Sequence, residues 1–134
     1  MKNRNLYIKF EPDEKIIGRW QMLGVVEKKE DYSPGKKLLL RGAWHGDRYF
    51  LPNGKGHGMI AWTRNYVMME RNAGYVFCHY ETKEIDGELY MFLDRIEKAI
   101  LDSIYPKYNT HEGVIILKQT DKKRYTMDEI CVCS

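Results

Sequence analysis

Among the side chains that could do chemistry, His79 is the histidine whose surroundings the sequence predicts best. It lies in residues 75–97, YVFCHYETKEI-DG-ELYMFLDRIE, where two strand-like runs are joined by Asp86-Gly87. An Asp-Gly pair favours a two-residue type I′ turn, and such a turn fixes the register of the hairpin. On that register His79 lies opposite Asp94, whose carboxylate would favour the charged imidazolium.

A histidine–carboxylate pair needs more than its own register to become a catalytic site. Acid–base catalysis also requires a nucleophile or a substrate pocket beside the pair, and no pattern in the sequence supplies one. Ser-His-Asp and Cys-His arrangements have no supporting motif either. We therefore interpret His79 and Asp94 as a solvated cross-strand ion pair and predict that the protein is not an enzyme.

The C-terminal cysteines are the other candidate for chemistry. Cys131 and Cys133 would lie on one face if their segment is a strand, and His57, His79 or His111 could then complete a soft-metal site. Their spacing differs from that of the usual zinc modules, and terminal residues are often mobile. We therefore predict no metal and no other cofactor.

A glycine-rich segment, LPNGKGHG at 51–58, has the composition of a phosphate-binding loop. Such a loop needs a helix N-terminus behind it to hold the anion. This segment instead follows one strand-like run and leads into another. It predicts a hairpin turn around Asn53-Gly54 and no nucleotide site.

Composition narrows the class of protein further. The net charge is +3, and the 22 basic residues are interleaved with 19 acidic ones, so a nucleic-acid partner is not predicted. No apolar run approaches membrane-spanning length. The first ten residues are too short and too charged for a secretion signal. We predict a cytoplasmic protein with no membrane partner and with its three cysteines reduced.

The elements that must position these side chains are strands. Short apolar runs punctuated by Gly, Asn and Asp predict one all-β domain over residues 1–134, with 1–14 as an N-terminal extension and 121–134 as a last strand or a frayed tail. A first strand from about Lys15 has a bulge at Gly24, and a second hairpin runs from Asp47 to about Thr63. Residues 38–46 are ambiguous between strand and helix, and 98–111 form a longer connection. About eight strands in up-and-down order predict a single antiparallel β-barrel.

The inner surface of that barrel follows from the hairpin register. Charged residues concentrate on the face that carries His79, so the opposite face is predicted to point inward. An apolar lining with a few polar groups suits an amphipathic ligand, although the same side chains could equally fill a solid barrel. The predicted ligand-binding residues of the interior are Trp20, Met22, Trp62, Cys78, Tyr80, Thr82, Met91 and Leu93.

Gly18-Arg19-Trp20 opens the first long strand, and this G-x-W motif resembles the signature of lipocalins and related calycins. The resemblance implies an eight-stranded barrel whose closed end is plugged by the Trp. In those folds a basic residue from the last strand often covers that Trp. Lys118 or Arg124 would take that position here.

A closer resemblance covers roughly residues 12–119. DEKIIGRWQMLGVVEKKEDYSPGKK, FLPNGKG, AWTRNYVM and YETKEIDGELYMFL occur in the order found in a lipocalin-like module of Firmicutes. That module occurs alone, in tandem, or attached to membrane sensor-transducers of the BlaR/MecR type. This chain departs from it in the longer stretch between Arg95 and Thr110 and in its CVCS end. The resemblance implies a fold, whereas the activity of the family is unassigned.

Two functions are compatible with these patterns. The first is a module that binds or senses a small apolar or amphipathic ligand inside the barrel. The alternative is a protein-interaction or regulatory module, such as a homodimer, with a solid barrel and an aromatic patch on its outer surface.

Overall fold

The computed structural model describes residues 10–35, 38, 47–57, 60–71, 74–95 and 113–131. Most of the ambiguous segment 38–46 and the whole predicted connection 98–111 lie outside these residues, as do Cys133 and His111. Among the described residues no helix is long and apolar enough to cross a bilayer.

Eight strands account for most of the described chain. They are β1 (Gly18–Val26), β2 (Asp47–Phe50), β3 (Lys55–His57), β4 (Ile60–Thr63), β5 (Tyr66–Arg71), β6 (Gly74–Ile85), β7 (Glu88–Arg95) and β8 (Val114–Asp121). Two 3₁₀ turns, Glu14–Ile16 and Lys29–Asp31, flank β1, and a short helix α1 (Met127–Cys131) follows β8.

The strands form one closed, antiparallel, up-and-down barrel, as the sequence predicts. Each strand pairs with the next along the chain, and β1 pairs with β8 to close the circle. A closed barrel leaves few unpaired sheet edges, which in an open sheet would attract other chains. The register between β1 and β8 shifts between Met22 and Gly24, which confirms the predicted bulge.

The β6–β7 hairpin has the predicted register. Ile85 pairs with Glu88, Tyr80 with Leu93, and His79 with Asp94. Its two turn residues, Asp86 and Gly87, have φ values of 53° and 82°. Positive φ at both central positions is the mark of a type I′ turn, so the local sequence determines this hairpin.

Two predictions from the sequence need correction. The segment from Asp47 to Thr63 is not one hairpin, because β2 and β3 pair around Asn53-Gly54 and β4 is a separate strand after them. Over 121–134, where the sequence predicts a last strand or a frayed tail, β8 ends at Asp121 and α1 covers Met127–Cys131, so the strand alternative is wrong for these residues. Cys131 therefore ends a helix, and Cys133 lies outside the described residues.

The interior of the barrel holds most of the core. An inner cluster of thirteen buried residues fills it, and Val25 and Leu89 pack against this cluster. The members are Ile16, Ile17, Trp20, Met22, Phe50, Trp62, Val67, Cys78, Tyr80, Met91, Leu93, Ile115 and Leu117.

A second, outer cluster covers the outside of β1, β7 and β8. Val26, Tyr90, Phe92, Val114 and Ile116 are buried there, and Leu23, Tyr32, Leu38 and Ile85 pack against them. Both faces of β7 are therefore apolar in the fold. The sequence did not predict this second cluster, because charged residues also lie on the outer face of the hairpin.

Candidate functional site

Seven of the eight predicted interior residues belong to the inner cluster. Trp20, Met22, Trp62, Cys78, Tyr80, Met91 and Leu93 are each at most 4% exposed. Thr82 is half-buried and lies elsewhere, in a cleft that also reaches Tyr80. The interior face of the hairpin is thus assigned correctly, but its described part is packed with side chains.

The base of the barrel is closed by the first 3₁₀ turn, Glu14–Ile16. The indole N–H of Trp20 donates to the Ile16 carbonyl oxygen at 2.8 Å. The Gln119 side-chain amide donates to the carbonyl oxygens of Lys15 and Ile17 at 3.0 and 3.3 Å. These bonds satisfy buried carbonyl groups that would otherwise be costly to bury.

Neither Lys118 nor Arg124 takes the position over Trp20 that the resemblance implies, and on β8 Gln119 lies there instead. Gln119 is the register partner of Trp20 on β8, whereas Lys118 alternates to the outer face and pairs there with Glu88. Arg124 instead forms an ion pair with Glu14 at the surface. A neutral amide suits this position, because it offers N–H donors without burying a charge.

The N-terminal segment reaches from the base to the middle of β6 through Asp13. This carboxylate is 4% exposed and accepts a hydrogen bond from the Tyr80 hydroxyl at 2.6 Å. Lys15 donates to the same carboxylate at 3.1 Å. Burial raises the pKa of Asp13, but the bonds from Tyr80 and Lys15 outweigh it, and the net pKa lies below its usual value.

Beside this contact the hairpin extends beyond its neighbours. β5 begins at Tyr66, opposite His79, whereas β6 continues to Ile85. We call residues 81–85 the overhang. Within the described part of the chain they pair with β7 on one side and with no strand on the other. The overhang is therefore a short free edge on an otherwise closed barrel.

A cleft of about 830 Å³ wraps around this free edge. It includes side chains from both faces of β6, together with the N-terminal segment, the second 3₁₀ turn and the β4–β5 turn. The lining residues are Asp13, Lys15, Lys29, Glu30, Tyr32, Asn65, His79, Tyr80, Glu81, Thr82, Lys83, Ile85 and Phe92. Its volume lies within the range of small-molecule sites, roughly 300–1,000 Å³.

One wall of the cleft is aromatic. The Tyr32 ring lies 5.6 Å from the Tyr90 ring and 6.1 Å from the Phe92 ring, between centroids. Burial, together with interactions with Tyr90, raises the pKa of Tyr32 to about 12. Tyr32 therefore stays protonated at neutral pH, and it offers a ligand both an apolar ring and a hydroxyl.

The charges of the cleft are balanced. Lys15 pairs with Asp13, and Lys29 forms a short contact with Glu81. The hydrogen bond to Glu81 raises the pKa of Lys29. Lys83 and Glu30 form no ion pair among the residues that the structure describes. The lining thus offers one cation and one anion to a ligand.

These groups are poorly suited to proton transfer. Burial, followed by the hydrogen bond to Asp13, raises the pKa of Tyr80 far above its usual value. Asp13 stays ionised at neutral pH because its pKa is lowered. A general acid or base works best with a pKa near the working pH, and neither group meets that condition. The Asp13–Tyr80 hydrogen bond therefore has a structural role, since it holds the N-terminal segment against β6.

No metal centre emerges from the described ranges, where no three His, Cys, Asp or Glu side chains lie together as ligands would. Cys78 is buried in the inner cluster, and the side chains of His57 and Cys131 lie outside the description. The predictions of no metal and no cofactor remain predictions.

Sequence reasoning did not find the cleft. It placed His79, Tyr80 and Thr82 on one hairpin, but Asp13, Lys29 and Asn65 come from three distant parts of the chain. Only the folded barrel brings these segments beside β6. The free edge arises because β6 is twelve residues long and its neighbour β5 is only six.

Comparison of the chain with protein-family models, with curated proteins and with solved structures found no match. The resemblance to the Firmicutes lipocalin-like module therefore stays a prediction. Function has to be inferred from the barrel and its cleft alone.

Proposed function

We propose that this protein is a non-catalytic binding module whose amphipathic ligand occupies the cleft beside the overhang. The observation that carries this proposal is the combination of an aromatic wall with balanced charges in about 830 Å³. Pockets with an apolar lining and a few placed polar groups are the usual form of small-ligand sites. An eight-stranded barrel is compatible with such a role.

The close packing of the inner cluster favours the cleft over the barrel interior as the ligand site. The predicted interior residues around Trp20 and Met91 are closely packed and almost without exposed surface. A ligand there would have to displace well-packed side chains, which costs stability. Entering the cleft requires no such displacement.

Native mass spectrometry of protein purified from the cells that make it tests the proposal. We expect a bound species in the wild type and its loss in K83E, since the reversed charge would repel the anionic group of the ligand. K55E is the matched control, because Lys55 is exposed on β3 outside the cleft. Equal retention by both variants would place the ligand elsewhere, and no bound species in the wild type would contradict a binding role.

A further inference from the structure

The free edge of β6 presents backbone groups as well as side chains. The Tyr80 N–H points towards β5 and donates to the Asn65 carbonyl oxygen at 2.9 Å. Backbone groups alternate along a strand with a period of two residues, so the N–H and C=O of Thr82 and Glu84 point the same way. No described residue bonds to them on that side. Two donors and two acceptors therefore face the free edge at the spacing of a strand ladder, and those of Thr82 belong to a residue that lines the cleft.

The cleft has contacts on both faces of this edge. Asp13 bonds to Tyr80 on the inner face of β6, and Lys29 contacts Glu81 on the outer face. An extended chain paired with the edge at about 4.8 Å would run between these two contacts. Its alternate side chains would face Asp13 on one side and Tyr32 on the other.

The charges that line the cleft indicate the class of partner. The lining contains three lysines and three carboxylates, so it has no excess of either sign. Nucleic acid and acidic membrane surfaces are bound by positive excess, which is missing here. A peptide of mixed charge matches the lining, with an acidic residue near Lys83 and a basic residue near Glu30.

We propose that an extended peptide segment of a partner protein binds in the cleft and adds to β6 as an antiparallel strand. Strand addition uses main-chain hydrogen bonds for affinity and alternate side chains for specificity. This inference rests on the proposed binding function and names the ligand class of the same site. It also explains why one edge of the closed barrel is left open.

A phage-displayed library of random twelve-residue peptides, selected on the wild-type protein, tests it. We expect enriched peptides of mixed charge whose synthetic forms slow amide hydrogen exchange at Thr82 and Glu84. In T82P the edge N–H is lost, and binding should weaken about tenfold or more. Proline is tolerated at an edge position whose N–H faces away from the sheet, so the variant is expected to fold.

T82V separates the backbone from the side chain, since valine keeps the N–H and removes the hydroxyl. We expect it to bind the selected peptide within about threefold of the wild type, a difference below 1 kcal/mol. Equal weakening in T82V and T82P would overturn strand addition. So would an enriched peptide that leaves both amides unprotected, or a selection that enriches no peptide. The exchange measurement uses the wild type and does not depend on the folding of T82P.

The K83E variant and the peptide selection together distinguish failure of this inference from failure of the proposed binding function. A bound species that is lost in K83E while no peptide is enriched would keep the cleft as a ligand site and reject the peptide. Tighter binding of single-stranded DNA than of any selected peptide would also reject it. Absence of both ligand and peptide binding would reject the two proposals together.

Discussion

The base of the barrel and the overhang are connected by the Asp13–Tyr80 hydrogen bond, yet they are built in opposite ways. At the base, buried polar groups such as Asp13 and Gln119 have partners, and Trp20 is completely buried. In the overhang, Thr82 and Glu84 have backbone groups without a partner among the described residues. The difference indicates that stability resides in the base, and that the overhang is available for binding.

Truncating the base should have the largest effect on stability. W20A removes one of the two buried tryptophans and its hydrogen bond to Ile16, so we expect a loss of about 3–5 kcal/mol in the free energy of unfolding. Urea denaturation measures it. K83A in the overhang is the matched control and should change stability by no more than about 0.5 kcal/mol. Similar losses in both variants would remove the distinction between the two regions.

The same glycine substitution made at the base and in the turn next to the overhang sharpens the comparison. Gly18 has a φ of 140°, and a Cβ there would lie 2.2 Å from the Asp121 carbonyl oxygen of β8. G18A should therefore cost about 3 kcal/mol or more, from the clash and the backbone conformation together. Gly87 has a φ of 82° with open space around it, so G87A should cost only about 1–2 kcal/mol. Denaturation midpoints of the two variants test this order, and a larger loss in G87A would contradict it.

Removing the amide at the base should have an intermediate effect. Q119L keeps the apolar volume but leaves the Lys15 and Ile17 carbonyl oxygens without their donor. Unsatisfied buried groups cost about 1–3 kcal/mol each, and some of that is recovered by apolar packing, so we expect a loss of about 1–3 kcal/mol. Thermal unfolding monitored by circular dichroism measures it. An unchanged midpoint would mean that water replaces the amide.

The smallest expected effect depends on pH. The folded pKa of Asp13 lies below its ordinary value of 3.8, so its ionised form stabilises the fold above that value. This contribution is lost as the pH falls through the folded pKa. D13N keeps an acceptor for Tyr80 and should cost about 1 kcal/mol at pH 7. The two proteins should converge in stability as the pH falls through the folded pKa of Asp13. A stability difference that stays the same from pH 7 into the acid range where the wild type loses stability would contradict the assignment.

Local sequence determined the hairpin, and this is why its register could be predicted residue by residue. Asp86-Gly87 admits one turn type, and the turn sets the partners of every residue from Cys78 to Arg95. The interior face followed from strand alternation. The outer cluster did not follow, because Tyr90 and Phe92 share a face with Glu81 and Lys83 and their cover, Tyr32, comes from a distant loop.

The cleft could not be predicted for a related physical reason. Asp13 and Tyr80 are 67 residues apart, and Gln119 and Lys15 are 104 residues apart. Local sequence preferences carry no information about contacts between residues so far apart, because these contacts form only once the barrel closes. The sequence predicts the long hairpin that contains β6, whereas the free edge of β6 depends on how β6 pairs with both neighbouring strands.

The seam between β1 and β8 has a consequence for how the chain is made. Its two strands lie near opposite ends of the described sequence, so the circle cannot close until residue 121 has been synthesised. The β6–β7 hairpin forms from adjacent residues and needs no other strand to set its turn. Contacts between distant residues slow folding, because a long loop must be ordered before they form. During that delay β1 has no partner on its β8 side, and a nascent chain would be most exposed to misassociation along this strand.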